Sequence, residues 1–160
     1  MKSVLISMQA APNYLIEERK KTLELRKTRP LLKQPFKVYI YEALGYKMKL
    51  SNVCKGAVHT GVGKVIGEFI CDDIDKVAVY NDVLYCERNS QPNKLSQLCL
   101  TIDEIKAYLG QKNLGYTWHI SDLVIYDKPK ELSTFSKYGF GCPVPLKRPP
   151  QSWMYVEELQ

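Results

Sequence analysis

Hydrophobic and polar residues alternate in short runs along most of this chain, and long helical repeats are scarce. Residues 4–8 form a brief apolar strand. Pro12 suits the first turn of a helix that continues through Tyr14, Leu15 and the Glu17-Glu18 pair to about Lys20. A strand over 22–28 follows, stopped by Pro30. Phe36, Val38 and Ile40 share one face of a strand over 36–41. Residues 43–60 have little pattern, with Gly45, Asn52 and Gly56 and a Gly61-Val62-Gly63 end, and read as a surface loop. Lys64 to Cys71 is a strand whose Gly67 marks a bulge or a close backbone approach. Residues 76–80 give another strand, and 87–97 a polar, exposed excursion.

The clearest local signal lies at 100–110. Thr101 and Glu104 have capping-box spacing, Leu100 and Ile105 form a hydrophobic staple, and Gly110 stops the helix. A long strand over 116–127 changes parity near Ser121-Asp122, which predicts a bulge, and Pro129 ends it. Residues 128–150 contain prolines and glycines, and Ser152 to Val156 closes as a strand. These elements predict an α+β fold: a small mixed β-barrel flanked by two main helices. Residues 1–160 read as one domain, with 128–160 as an extension docking on the barrel.

One strand changes the picture. In Lys20-Lys21-Thr22-Leu23-Glu24-Leu25-Arg26-Lys27-Thr28-Arg29-Pro30, Leu23 and Leu25 point one way and Thr22, Glu24 and Arg26 the other. A core-facing pair thus backs a row of hydroxyl, carboxylate and guanidinium, the groups that hold a phosphate or a base edge. Arg19, Lys20, Lys21, Arg26, Lys27, Arg29 and Lys33 fall within one short stretch that holds a single acid, Glu24. The net charge of +6 favours polyanionic partners mildly. With 45% hydrophobic and 25% charged residues, the composition is that of an ordinary globular protein. No apolar run is long enough to span a bilayer, and the N-terminus lacks a signal-peptide pattern, so a cytoplasmic protein without membrane partners is expected. The five cysteines have irregular spacing and no C-x-x-C pair, so neither a metal nor another cofactor is expected.

An apolar strand, a helix, and then K-K-T-x-E-x-R at residues 20–26 resemble the opening signature of ASCH domains, which share the PUA-like β-barrel. Gly63-Lys64-Val65-Ile66-Gly67-Glu68-Phe69, Leu100-Thr101-Ile102-Asp103-Glu104, Trp118-His119-Ile120-Ser121-Asp122-Leu123 and Arg148-Pro149-Pro150-Gln151-Ser152-Trp153 are similar to pieces of small ASCH proteins of phages and mobile elements of Firmicutes. Together they run from about residue 4 to 157. The resemblance implies a PUA-like barrel with a basic cleft at the junction of helix 12–20 and strand 22–28. It implies binding of RNA or nucleotides, and in some members hydrolysis: of the amide of N4-acetylcytidine in one branch, of RNA in another. The family's glycine before K-K-T is Arg19 here. The amidohydrolase branch uses a lysine, a threonine three residues on and a distant glutamate. Lys21 matches the first, whereas Glu24 and Leu98 occupy the other two positions.

Three readings of Lys21 stand: a proton-transfer group or nucleophile, a ligand contact, or a solvated lysine. Glu24, the second catalytic candidate, and Arg26 either hold a ligand or pair with each other or with Lys21. Lys20, Thr22, Lys27 and Arg29 complete the expected binding surface, the cations extending its electrostatic footprint. Trp118, Trp153, Tyr39 and Tyr116 are either stacking platforms for an unpaired base or core. His119 faces the cleft or solvent. Ser121 and Asp122 line a pocket or satisfy a turn. Two functions follow. One is a module that captures single-stranded RNA, a nucleotide or a nucleoside. The other is a hydrolase acting on a modified nucleoside or on RNA. Docking of a protein partner on the basic face stays open beside both.

Overall fold

The computed structural model describes residues 1–45, 48–49, 58–59, 61–88 and 94–159. β1 (Lys2–Met8) leads into α1 (Ala10–Glu17) and β2 (Leu23–Arg26). β3 (Phe36–Glu42) is followed by the two-residue strands β4 (Met48–Lys49) and β5 (Val58–His59), which pair with each other. Then come β6 (Lys64–Cys71), β7 (Ile74–Tyr80) and β8 (Val83–Cys86). The helices α2 (Lys94–Leu98) and α3 (Ile102–Leu109) precede β9 (Leu114–His119), β10 (Ser121–Lys130) and β11 (Trp153–Glu157). The loop expected over 43–60 and the excursion over 87–97 lie in part outside the described residues. Among the described residues no helix is long and apolar enough to cross a membrane.

The pattern predicts a closed barrel. Among the described residues the ladders form instead two open sheets, ordered β10-β6-β3-β1-β11 and β2-β9-β7-β8. The expected long strand over 116–127 is two strands. β9 belongs to the second sheet and β10 to the first, with the chain crossing between them at Ile120. Asp122, at φ 46°, and a register shift after Ser121 mark the predicted irregularity. β10 also runs through Pro129 to Lys130. It is an edge strand, where the missing N–H costs no ladder bond. At the other end β2 is too short to close the barrel. It reaches β1 through a side chain: Arg26 Nη2 donates to the Ser7 carbonyl at 2.8 Å.

Three apolar layers explain the strand patterns. Val4, Ile6, Val38, Ile40, Phe69 and Trp118 fill the space between the sheets, with Ile16 of α1 at one end. Leu5, Tyr39, Phe135, Leu146 and Val156 pack the outer face of the first sheet, where β11 pairs with β1. β1 is therefore buried on both faces, which is why it reads as a continuous apolar run. Leu23, Leu25, Val77 and Val79 meet Leu98, Ile105 and Leu109 of α2 and α3. The capping box forms as its spacing predicts, with Glu104 N–H bonding Thr101 Oγ1 and Thr101 N–H bonding Glu104 Oε2. Gly67 marks a close approach: a Cβ there would sit 2.5 Å from the Val124 carbonyl oxygen.

The turn from α1 into β2 sets the site. Arg19 has φ 54°, and the N–H groups of Arg19, Lys20 and Lys21 close the helix onto the carbonyls of Ile16 and Leu15. This is the position where the resembling family carries glycine, and a left-handed conformation explains why. Arg19→Gly is expected to stabilise the fold by about 1 kcal/mol by relieving that conformation. A urea midpoint that stays put or falls would count against the strain.

Candidate functional site

A cleft of about 430 Å³ opens where α1, β2 and α3 meet. Its walls come from the end of β1 (Ser7, Met8), from Pro12 of α1, and from Leu100 and Tyr108 on or beside α3. Lys21, Glu24 and Arg26 line it from the β2 side, because β2 turns Leu23 and Leu25 into the helical layer. The parity read from the sequence delivers Glu24 and Arg26 to that face; Lys21, of the opposite parity, reaches it from the turn before β2, and Thr22, expected beside them, does not line the cleft.

They form a continuous row. Lys21 is 4% exposed, and its Nζ donates to the Leu98 carbonyl at 2.9 Å and lies 3.3 Å from Glu24 Oε2. Glu24 Oε1 lies 3.1 Å from Arg26 Nε. That N–H is not aligned with the carboxylate, so the contact is an ion pair rather than a well-formed hydrogen bond. Arg26 continues to the Ser7 carbonyl and, at 3.4 Å, to Ser152 Oγ. A buried carboxylate held between two cations is a fixed acceptor with little freedom to move.

Tyr108 and Glu104 join the cleft, and the sequence analysis missed both. Their i, i+4 spacing on α3 put them on one helix face, which was the available signal. Arg26 and the Lys27 backbone lie close enough to the Tyr108 phenol to favour its ionised form. Burial pushes its pKa up, the Arg26 charge opposes that, and the Glu24 charge adds to it, so the group stays a neutral hydroxyl. Ser7 Oγ, also in the wall, is buried with no hydrogen-bond partner among the described residues. Two cations, Lys21 and Arg26, face two carboxylates, Glu24 and Glu104, so the cleft interior is balanced rather than strongly basic. Positive charge sits at the rim, where Lys27 lies 5.4 Å from the Tyr108 ring.

The other candidates lie elsewhere. Lys20 is exposed and pairs with Glu18 at 3.7 Å. Thr22 sits beside the row with its Oγ1 buried and unpartnered among the described residues. Arg29 stands 5.6 Å from the Tyr116 ring in a separate groove. Trp118 is fully buried between Phe36 and Trp153, so it offers no face to a base. Tyr39 is equally buried. His119 contacts Asp72 through Nδ1 at 2.6 Å and lines a cavity shared with Asp75, Arg88 and Lys94, not the cleft. Cys71, in the same region, is no nucleophile, because burial and the Asp72 charge push its thiol up to about 12. Ser121 Oγ donates to the Ile70 carbonyl at 2.9 Å, so it satisfies the strand crossing. Among the described residues no cluster of His, Cys, Asp or Glu could hold a metal.

No protein-family model and no curated protein matches the chain. Solved structures are similar to it. One is ASCH from Zymomonas mobilis, at 18% identity and a TM-score of 0.63, covering 98% of this chain and 88% of that one. Two single-substitution variants of the same protein align at the same identity and TM-score. They cover 98% and 99% of this chain, and 89% and 92% of their own lengths. The arrangement described above, carried over nearly the whole chain, is an ASCH-like fold.

Proposed function

We propose that this protein binds RNA, through a single unpaired nucleotide seated in the cleft beside β2. One observation carries this reading: the Lys21–Glu24–Arg26 row lines a cleft whose other walls mix apolar and aromatic residues (Met8, Pro12, Leu100, Tyr108) with a few polar ones (Gln9, Glu104, Gln151). The volume, about 430 Å³, is in the range of small-molecule sites. The balanced interior favours a neutral base over a bare phosphate. Glu24 accepts from an exocyclic amine, and the Tyr108 phenol offers a further polar contact. Phosphates remain outside, with Lys27 at the rim and Lys20 nearby in the chain.

A second reading rests on one contact. Lys21 Nζ lies 3.3 Å from a carboxylate inside the cleft, and such a pair can shuttle a proton in hydrolysis of a modified nucleoside or of RNA. The two readings place the same residues on the ligand and differ in turnover.

Fluorescence anisotropy of a labelled single-stranded RNA at two salt concentrations, with wild type and Lys21→Ala, tests both. Lys21→Ala is expected to weaken binding about tenfold, the loss of one charged contact. No binding at low salt by the wild type would sink the RNA reading. Shortened RNA, or acetate released from N4-acetylcytidine, would establish the hydrolase if Lys21→Ala abolishes it while the fold is kept.

A further inference from the structure

Beyond Ile74 and Trp118, the face of the second sheet that looks toward the first runs on to groups that the cleft does not use. In the β7–β9 ladder Lys76 lies opposite Tyr116 and Ala78 opposite Leu114. In the β7–β8 ladder Ala78 lies opposite Tyr85 and Tyr80 opposite Val83. Opposed residues of antiparallel strands share a face, so these side chains form one surface. The helices α2 and α3 cover the other face. Toward β8 this one is uncovered: Tyr80 is 67% exposed and Tyr85 is 49% exposed. Toward β2 it deepens into a groove of about 450 Å³ that Arg29, Lys76, Arg88 and Tyr116 line, with Glu87 as its one acid. A shallower depression shares Lys76 and Glu87 with that groove and reaches Tyr85.

From these observations we infer that single-stranded RNA runs across this sheet face, its phosphates on Arg29, Lys76 and Arg88 and its bases against Tyr116, Tyr85 and Tyr80. With Arg88 matched by Asp73 and Asp75, Arg29 and Lys76 against Glu87 leave the groove net positive, the sign a polynucleotide backbone needs. Among the described residues neither Lys76 nor Arg29 is in an ion pair. Lys37, Lys64, Lys94 and Lys106, by contrast, are each matched by a carboxylate. Arg88 is tied to Asp73 at 2.5 Å and to Asp75 at 3.7 Å yet stays half-exposed, so it offers a positioned hydrogen-bond donor rather than an unmatched charge. Tyrosines at alternating positions along a sheet stack on bases irrespective of sequence. β2 connects the two surfaces in the chain: Arg26 ends in the cleft and Arg29, three residues on, in the groove. The inference extends the cleft reading, since both name RNA as the ligand.

The test compares two probes on full-length protein: a labelled single-stranded RNA of about 12 nucleotides, long enough to leave the cleft, and cytidine monophosphate, whose base carries the exocyclic amine. The variants are Arg29→Glu with Lys76→Glu, and Tyr85→Ala, all at exposed or surface positions. The double charge reversal is expected to weaken RNA binding at least about tenfold and to shrink the salt slope by about 1.4, two phosphate contacts at the single-strand value. Tyr85→Ala is expected to weaken it about tenfold. Neither change should alter binding of cytidine monophosphate. Unchanged RNA affinity and salt slope in the double variant would overturn the inference. So would tighter binding of the deoxy oligomer of the same sequence. A wild-type dimer in sedimentation velocity that Tyr85→Ala dissolves would assign the face to a second copy and overturn it too. Absence of nucleotide binding, with RNA binding still lost on charge reversal, would sink the cleft reading while supporting this one.

Discussion

Glu24→Ala is expected to lower the unfolding free energy by about 3 kcal/mol, the low end for breaking a buried ion pair from one side. The physical reason is the arithmetic of the row. Glu24 is the counter-charge for Lys21 at 3.3 Å and for Arg26 at 3.1 Å, and both cations are buried. Its removal leaves two positive charges facing each other across the cleft wall. The low end applies because the cleft is open and water can reach part of the row. Lys21→Met should cost less, about 1–2 kcal/mol, because it leaves one unpaired carbonyl, that of Leu98, while Glu24 keeps Arg26. Urea denaturation of both variants and of the double variant gives the comparison. The double variant should be less damaged than the sum of the two, with a coupling of at least about 1 kcal/mol. Equal costs for the two single changes, or strict additivity, would show that the three charges do not act as a unit. The same row is what the cleft offers a ligand, so a nucleotide that contacts Glu24 should raise the wild-type midpoint and leave that of Glu24→Ala unchanged.

Local rules were legible in the sequence wherever one short segment carried the whole signal. The capping box at Thr101 and Glu104, the close approach at Gly67 and the opposed faces of Leu23-Leu25 and Glu24-Arg26 each depend on a few neighbouring residues. What depends on distant partners was not legible. Closure of the barrel depends on which strands meet at the sheet edges, and no periodicity within β2 or β10 encodes that. β8 was missed because it is short and its alternation places Val83 and Tyr85 outward, so it lacks the apolar density of a core strand. The single strand expected over 116–127 became two for a similar reason. A parity change looks the same in sequence whether the strand bulges in place or crosses to another sheet.

The site divides along the same line. Glu24 and Arg26 were found because they share one parity of one short strand, and Lys21 because it lies in the basic run that leads into it. Tyr108, Glu104 and Ser7 come from three other places in the chain, and only the packing of α3 and β1 against β2 brings them there. Electrostatics was misjudged for the same reason. Counting charges along residues 19–33 suggests a basic cleft, but the strand sends some of those charges inward to a carboxylate and others outward to rim and groove. Lys27 and Arg29 therefore belong to surfaces that the linear count cannot separate.

Trp118 shows how far burial decides between two readings of one aromatic residue. Its ring is fully buried, edge-on to Phe36 at 6.2 Å and to Trp153 at 6.0 Å between centroids. Trp118→Ala should therefore cost about 3–5 kcal/mol in unfolding free energy, the range for truncating a large core aromatic. Against a total of about 5–15 kcal/mol for a domain, that is enough to unfold a substantial fraction of the protein at 37 °C. The conservative change separates packing from function. Trp118 Nε1 has no hydrogen-bond partner among the described residues, so Trp118→Phe forfeits no bond. It loses only volume, which the neighbouring rings of Phe36 and Trp153 can partly fill, and about 1–1.5 kcal/mol is expected. RNA affinity of folded Trp118→Phe should stay within about twofold of wild type, because the indole reaches neither cleft nor sheet face. A tenfold loss of RNA binding in Trp118→Phe with an intact thermal transition would place the indole on the ligand path. It would require the first sheet to part from the second when RNA binds. Burial as complete as that seen here gives the opposite expectation: a residue that holds β3, β9 and β11 together and senses ligand only through the fold.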